Sequence, residues 1–165
     1  MRTRLDVRAE NFEHIFKHLD GFDRPVRIIE TGCVCNVDDW YADGGSTLLF
    51  DTYAKFHPGS ILYSVDRDEN ATILGRHLTS DRVRFHTGDS ITFLKALADT
   101  PPDDLEAIDL LYLDSYPVNY DNEFPGAFHH LQEYLAISPL VRPETLVVVD
   151  DAPLIFAGSL YQSPV

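Results

Sequence analysis

The sequence predicts an α/β fold: one mostly parallel, doubly wound sheet with helices on both faces. Three observations carry this. Strand-length apolar runs alternate with helix-like stretches along nearly the whole chain. Two of those runs, AIDLLYLD (107–114) and TLVVVD (145–150), are close to continuously apolar, as strands covered on both faces should be. Every strand run leads into polar or acidic residues, and in such a sheet these gather along the carboxyl edge, where ligands bind.

The opening segment, 5–19, places Phe12, Ile15, Phe16 and Leu19 at helical spacing, which predicts a helix packed on the sheet or on a partner. VRIIE (26–30) is the first strand. A helix over 46–56 follows Gly44 and Gly45, with Ser46 as its N-cap. SILYSVD (60–66) is the second strand and leads into a helix over 68–78. Asp68 and Glu69 sit in that helix's first turn, where its dipole favours acids. RVRFHT (82–87) is the third strand, and the next helix, 89–99, opens on the capping residues Asp89 and Ser90. The fourth strand (107–114), a helix over 127–137 and the fifth strand (145–150) complete the alternation. The Pro-Pro-Asp-Asp stretch at 101–104 is a surface turn. No repeat or linker divides the chain, so it reads as one domain: an N-terminal helix (1–24), a core (25–151) and a tail (152–165).

With 165 residues, 44% of them hydrophobic and 24% charged, the chain is long enough for one well-buried core. Thirteen Lys and Arg against 27 Asp and Glu leave a formal charge of −14. A field of that sign repels phosphate backbones and argues against nucleic-acid partners. No run reaches membrane-spanning length, and the first residues lack the apolar core of a secretory signal; no membrane partner and a cytoplasmic location are expected. Cys33 and Cys35 are separated by one residue. A disulfide there would be strained and two thiols do not close a zinc site, so both are expected to be reduced and structural.

The row of carboxylates (Glu30, Asp66, Asp89, Asp114, Asp150, Asp151) calls for a ligand rich in hydroxyls and amines, or for a cation. RIIETGCVCN…DGGST resembles the first motif of class I S-adenosylmethionine-dependent methyltransferases, YSVDRD their second, and HTGDS and LLYLDSY the next two. The resemblance covers about residues 25–151 and implies a Rossmann-like fold that binds S-adenosyl-L-methionine. It implies that Gly32 and the Gly44-Gly45 pair let the backbone approach the cofactor, with Ser46 beside them. Glu30 would orient the loop and the cofactor's amino group, Asp66 would accept both ribose hydroxyls, and Asp89 with Ser90 would meet the adenine. A dinucleotide-binding fold competes, but its G-x-G-x-x-G fingerprint is missing after the first strand. The stretch from Gly32 to Gly44 is longer than the common loop and carries Asp38, Asp39, Trp40, Tyr41 and Asp43. It reads either as a lid or as a surface excursion pinned by Trp40.

Within that family the sequence is most similar to the metal-dependent O-methyltransferases of sugars and natural products, the macrocin O-methyltransferase-like group. This implies that Asp114, Asp150 and Asp151 hold Mg²⁺, which would bind and acidify a hydroxyl of a small-molecule acceptor. Asp114, Tyr116 and His129 are the catalytic candidates. Tyr116 stands where related enzymes often carry an acid, and a phenol is a poor base at neutral pH. His129 and Glu133 lie four apart on one helical face beside His130. One of the histidines facing the acceptor would serve as base, against the competing reading of satisfied helix histidines. Two alternatives stay open: a metal-free methyltransferase acting on nitrogen, carbon or protein, and a cofactor-binding subunit without transfer activity. The fold is expected to be shortened after strand five, with at most one short strand in 152–165. A homodimer is then expected, with the C-terminal segment (LIFAGSLY, 154–161), the first helix or both buried at the interface, against a monomer whose tail folds back over its own sheet edge.

Overall fold

The computed structural model describes residues 8–36, 45–117 and 124–150, together with two short strands, Leu154–Phe156 and Ser159–Tyr161. In chain order the elements are α1 (Arg8–Leu19), β1 (Arg27–Thr31), α2 (Gly45–Phe56), β2 (Ile61–Asp66), α3 (Glu69–Leu78), β3 (Val83–Thr87), α4 (Ser90–Asp99), β4 (Ile108–Leu113), α5 (Phe124–Ile137), a 3-10 turn (Ser138–Leu140) and β5 (Val141–Val149). Five strands pair in parallel in the order β3-β2-β1-β4-β5. The Rossmann-like, doubly wound α/β sheet expected from the sequence is the observed one. The strand order reverses between β1 and β4, the place where sheets of this kind open a crevice for ligands.

Helices cover both faces. On one, Phe12 and Leu19 of α1 and Leu49 and Phe50 of α2 pack on Ile28, Leu62, Leu110 and Tyr112. Phe50 meets Tyr112 edge-on at 5.3 Å between ring centroids, and Phe12 stacks on Tyr112 at 6.0 Å. Each such ring, fully buried, stabilises the fold by about 2–3 kcal/mol. Of the two places expected for the apolar face of α1, its own sheet or a partner, the structure shows Phe12, Ile15 and Leu19 on the sheet. On the other face, Leu94 and Leu97 of α4 and Ile137 of α5 lie against Ile29, Tyr63, Leu111 and Leu113.

β4 is buried at every residue, as its apolar run predicts. β5 is not. Val147 and Val149 remain 37% and 39% exposed: among the described residues β5 is the last strand of the sheet, and in its 146–149 half Leu146 and Val148 are the residues packed against a core cluster. β5 also begins earlier than expected. Val141 pairs with Ile108, the register then shifts, and Leu146 pairs with Leu110. Arg142-Pro143-Glu144 lies ahead of the strand expected at 145–150. Thr145 holds it as a bulge: its hydroxyl accepts from the Arg142 N–H at 2.9 Å and donates to the Ile108 carbonyl at 2.5 Å. Nearby, α5 leaves Phe124, Phe128, Leu131 and Leu135 exposed along one face.

At the amino ends of the strands, carboxylates are matched with arginines. Arg24 donates to both oxygens of buried Asp109 at 2.6 and 2.9 Å, and the Arg27 N–H adds a third bond at 2.7 Å. Asp104 accepts from Arg84 at 2.7 and 3.1 Å and from the Tyr63 hydroxyl at 2.9 Å. Beyond β5, Leu154–Phe156 and Ser159–Tyr161 pair antiparallel as a separate hairpin, where at most one strand was expected. Among the described residues no helix is long and apolar enough to cross a membrane.

Candidate active site

Backbone bonds carry the sheet one step past the strand ends and align the expected site residues. Gly88 N–H donates to the Asp66 carbonyl at 2.9 Å, Gly32 to Val65 at 2.8 Å, Asp114 to Thr31 at 2.9 Å and Asp150 to Leu113 at 3.0 Å. Gly32 has φ +82°, and a Cβ there would overlap the Asp114 carbonyl oxygen. The neighbour that demands glycine is therefore the end of β4.

Glu30, on β1, is fully buried. Its Oε2 accepts from the hydroxyls of Ser64 at 2.7 Å and Thr47 at 2.8 Å, while Oε1 has no hydrogen-bond partner among the described residues. Burial raises this carboxyl to about 7, against the opposing pull of the Ser46, Ser64 and Thr47 hydroxyls. Ser46 lies within the first turn of α2, which starts at Gly45, and not at the N-cap position expected. Thr47, which the sequence did not single out, also accepts the Val34 N–H at 3.0 Å and so ties the loop after β1 to Glu30.

Asp66 and Asp89 carry structural tasks. Asp66 accepts the N–H groups of Cys33 at 3.0 Å and Asp68 at 2.8 Å, pinning the loop after β1 to the end of β2. Asp89 is the N-cap of α4. Its Oδ1 accepts from the Thr92 N–H at 2.9 Å and hydroxyl at 2.8 Å, bonds that hold its carboxyl below the usual range. Cys33 and Cys35 form no disulfide, and burial pushes the Cys33 thiol far above its ordinary value. Cys33 is thus protonated, matching the structural role expected of it.

A second polar cluster joins the end of β4 to α5. Glu133 is fully buried and accepts from the Ser115 hydroxyl at 2.5 Å, with His130 Nδ1 at 2.8 Å and His129 Nε2 at 3.3 Å. Burial would raise its carboxyl, but the bonds from His130, Ser115 and Ser90 outweigh that and hold it below the usual range. His129 Nε2 also lies 3.0 Å from the Ser115 hydroxyl and 3.3 Å from that of Ser90, and the Tyr116 ring is 5.2 Å from the imidazole. Ser90 and Tyr116 thus both meet His129. His130 is a buried, satisfied histidine. The i, i+4 spacing of His129 and Glu133 was legible; Ser115 as their link was not.

At the end of β5, Asp150 Oδ2 accepts from Arg8 Nη2 and from the Tyr112 hydroxyl, each at 2.5 Å. Neither Arg8 nor Tyr112 stood out in the sequence; Arg8 is 142 residues from its partner. Asp151 lies outside the described residues, as do Asp38, Asp39, Trp40, Tyr41, Asp43 and Gly44. Among the described residues no three acidic, histidine or cysteine side chains gather as a metal site. The described residues do not fit a divalent ion at Asp150, because its inward oxygen already faces a guanidinium. They do fit a cofactor with an amino group, because Glu30 presents a buried oxygen lacking a partner.

A solved structure similar in fold is a short-chain dehydrogenase/reductase from Saccharomyces cerevisiae, 17% identical, with a TM-score of 0.54 over 75% of this chain and 52% of that one. At such identity the likeness is one of fold alone, and this chain spans about half the length of that structure. No curated protein matches the chain. A family model described as a methyltransferase domain matches residues 41–152, from after β1 through β5 and over more than half of the chain. The chain therefore belongs to the methyltransferase-domain family.

Proposed function

We propose that the chain binds S-adenosyl-L-methionine at the carboxyl edge of β1–β3 and transfers its methyl group to an oxygen of a small molecule. The observation that supports this most is Oε1 of Glu30, buried at the turn of the strand order and without a partner among the described residues. A buried carboxylate oxygen of this kind matches an ammonium donor such as the cofactor's amino group. Gly32 and the loop after β1, tied down by Asp66, shape the adjoining cradle. Asp66 retains acceptor capacity for ribose hydroxyls beyond its two backbone bonds, and Asp89 with Ser90 borders the adenine end.

The cofactor, when bound, supplies a methyl group on a positively charged sulfur. The acceptor hydroxyl must lose a proton, and the groups assigned to this are Asp114 and His129, with Glu133 fixing His129 and Tyr116 flanking its ring. No step is assigned to a metal, because Asp150 is engaged by Arg8. Self-association belongs to the same proposal. Its supporting surface is the exposed Phe124, Phe128, Leu131 and Leu135 face of α5 with Val147 and Val149, not α1. Light scattering that gave the mass of one chain at every concentration would remove it.

Calorimetry with S-adenosylhomocysteine tests the core of the reading. Binding is expected in the unaltered chain and is strongly weakened in Asp66→Ala. Preferential binding of NAD with no response to the sulfur cofactor overturns it. Cofactor binding without methyl transfer to any hydroxylated acceptor would leave a binding subunit.

A further inference from the structure

Two aspartates end adjacent parallel strands: Asp114 follows β4, Asp150 follows β5, and the preceding pair, Leu113 and Val149, is in register. Side-by-side carboxylates at a half-buried edge need a positive charge. The structure places one there from its own sequence. Arg8 Nη2 reaches Asp150 Oδ2 at 2.5 Å and donates to the Tyr112 hydroxyl at 3.2 Å, and both charged side chains are largely buried, at 15% and 20% exposure. Burial works against the Arg8 charge, while Asp150, then Tyr112 and Asp114, raise its pKa. The Tyr112 hydroxyl donates to the same Asp150 oxygen at 2.5 Å.

The charge of Arg8 runs against its own helix. This residue opens α1, where the helix dipole disfavours a cation. Its guanidinium lies 5.7 Å from the Phe12 ring centroid and so leans on the ring cluster that docks α1 to the sheet. Both contacts aim the charge across the edge of the sheet at Asp150.

We propose that Arg8 is the resident cation of this edge: its guanidinium holds Asp150, which a divalent ion at the ends of β4 and β5 would need as a ligand, and makes the site independent of added metal. A divalent ion at Asp150 would have to displace two hydrogen bonds and sit against a positive charge that cannot be deprotonated. The role needs no part of the methyl-transfer reading, since metal binding is its readout.

The experiment is a Mn²⁺ titration of the full chain by electron paramagnetic resonance, paired with melting temperatures in millimolar Mg²⁺. The unaltered chain is expected to bind no Mn²⁺ at this site and to show no Mg²⁺-dependent rise. Arg8→Ala is expected to melt lower and to gain saturable Mn²⁺ binding, which Asp150→Asn added to it removes. Arg8→Gln repeats the test with a longer side chain should the alanine variant not fold. Saturable one-to-one Mn²⁺ binding by the unaltered chain, lost in Asp150→Asn, overturns the proposal. So does a folded Arg8 variant that gains no binding. Calorimetry with S-adenosylhomocysteine on the same samples keeps a failure of the cofactor reading separate.

Discussion

The two ends of the sheet treat acidic side chains in opposite ways. At the amino end Asp109 and Asp104 are clamped by arginines with two bonds each, and backbone or tyrosine donors complete them. At the carboxyl end Glu30 is held by hydroxyls and keeps an unmatched oxygen, while Asp66 and Asp89 are held by backbone N–H groups and a threonine. Saturated carboxylates hold a fold together; an unsatisfied buried one costs stability and survives where a ligand completes it. Asp150, matched by Arg8, is a carboxyl-end residue treated in the amino-end manner.

The comparison can be broken first at Asp109. Asp109→Ala strips the partner from Arg24 and the Arg27 N–H, and should cost about 3 kcal/mol in urea unfolding, below the full value for a buried pair because Arg24 is half exposed. Cofactor affinity of the folded fraction should not change. A loss of affinity as large as the loss of stability would mean that the two ends are not separate.

Glu30→Gln should act in the reverse direction. A carboxyl raised from 4.5 to about 7 binds more protons folded than unfolded between those values, so stability falls as pH rises through that window and is level above it. The charge penalty amounts to about 3 kcal/mol above pH 7. Glutamine removes it but leaves an amide unmatched, so the variant should be about 1–2 kcal/mol more stable above pH 7 and bind cofactor poorly. Stability that is unchanged, with a flat pH profile in the parent, would deny Glu30 its strain.

Asp89→Ala removes a cap and should cost about 1 kcal/mol at neutral pH. Because its carboxyl is held below the usual range, the difference should persist until the pH falls beneath ordinary carboxylate values and then vanish. The smallest effect is expected at Phe128, 61% exposed on α5. Phe128→Ser should move the unfolding midpoint of an isolated chain by less than about 0.5 kcal/mol. A larger change that depends on protein concentration would show the α5 face covered by a second copy.

Much of this was legible because it is local. The strand runs, the alternation, the cap at Asp89 and the acid at Asp68 (which proves to be the N-cap of α3, not a first-turn residue) depend on neighbours within a few residues. The carboxyl-edge row followed from the fold rule once the strands were placed. What was not legible depends on contacts between distant segments. Arg8 and Asp150 meet only because α1 docks over Tyr112, and Ser115 joins Glu133 only because α5 returns over the end of β4. β5 misled because its valines are as apolar as those of a central strand, while their exposure is set by the absence of a further strand in the described sheet.

The bulge in β5 bears on what can be added to the sheet. Pro143 has no N–H to offer, and the Arg142 N–H is already bound to Thr145, so the amino half of this margin is a poor template for another chain. Residues 146–149 keep regular pairing with β4 and form the segment on which an incoming strand could extend the ladder. Any fibre or swapped assembly seeded on this margin would therefore have a short, fixed overlap, and a lysine placed at Val147 would be enough to discourage it.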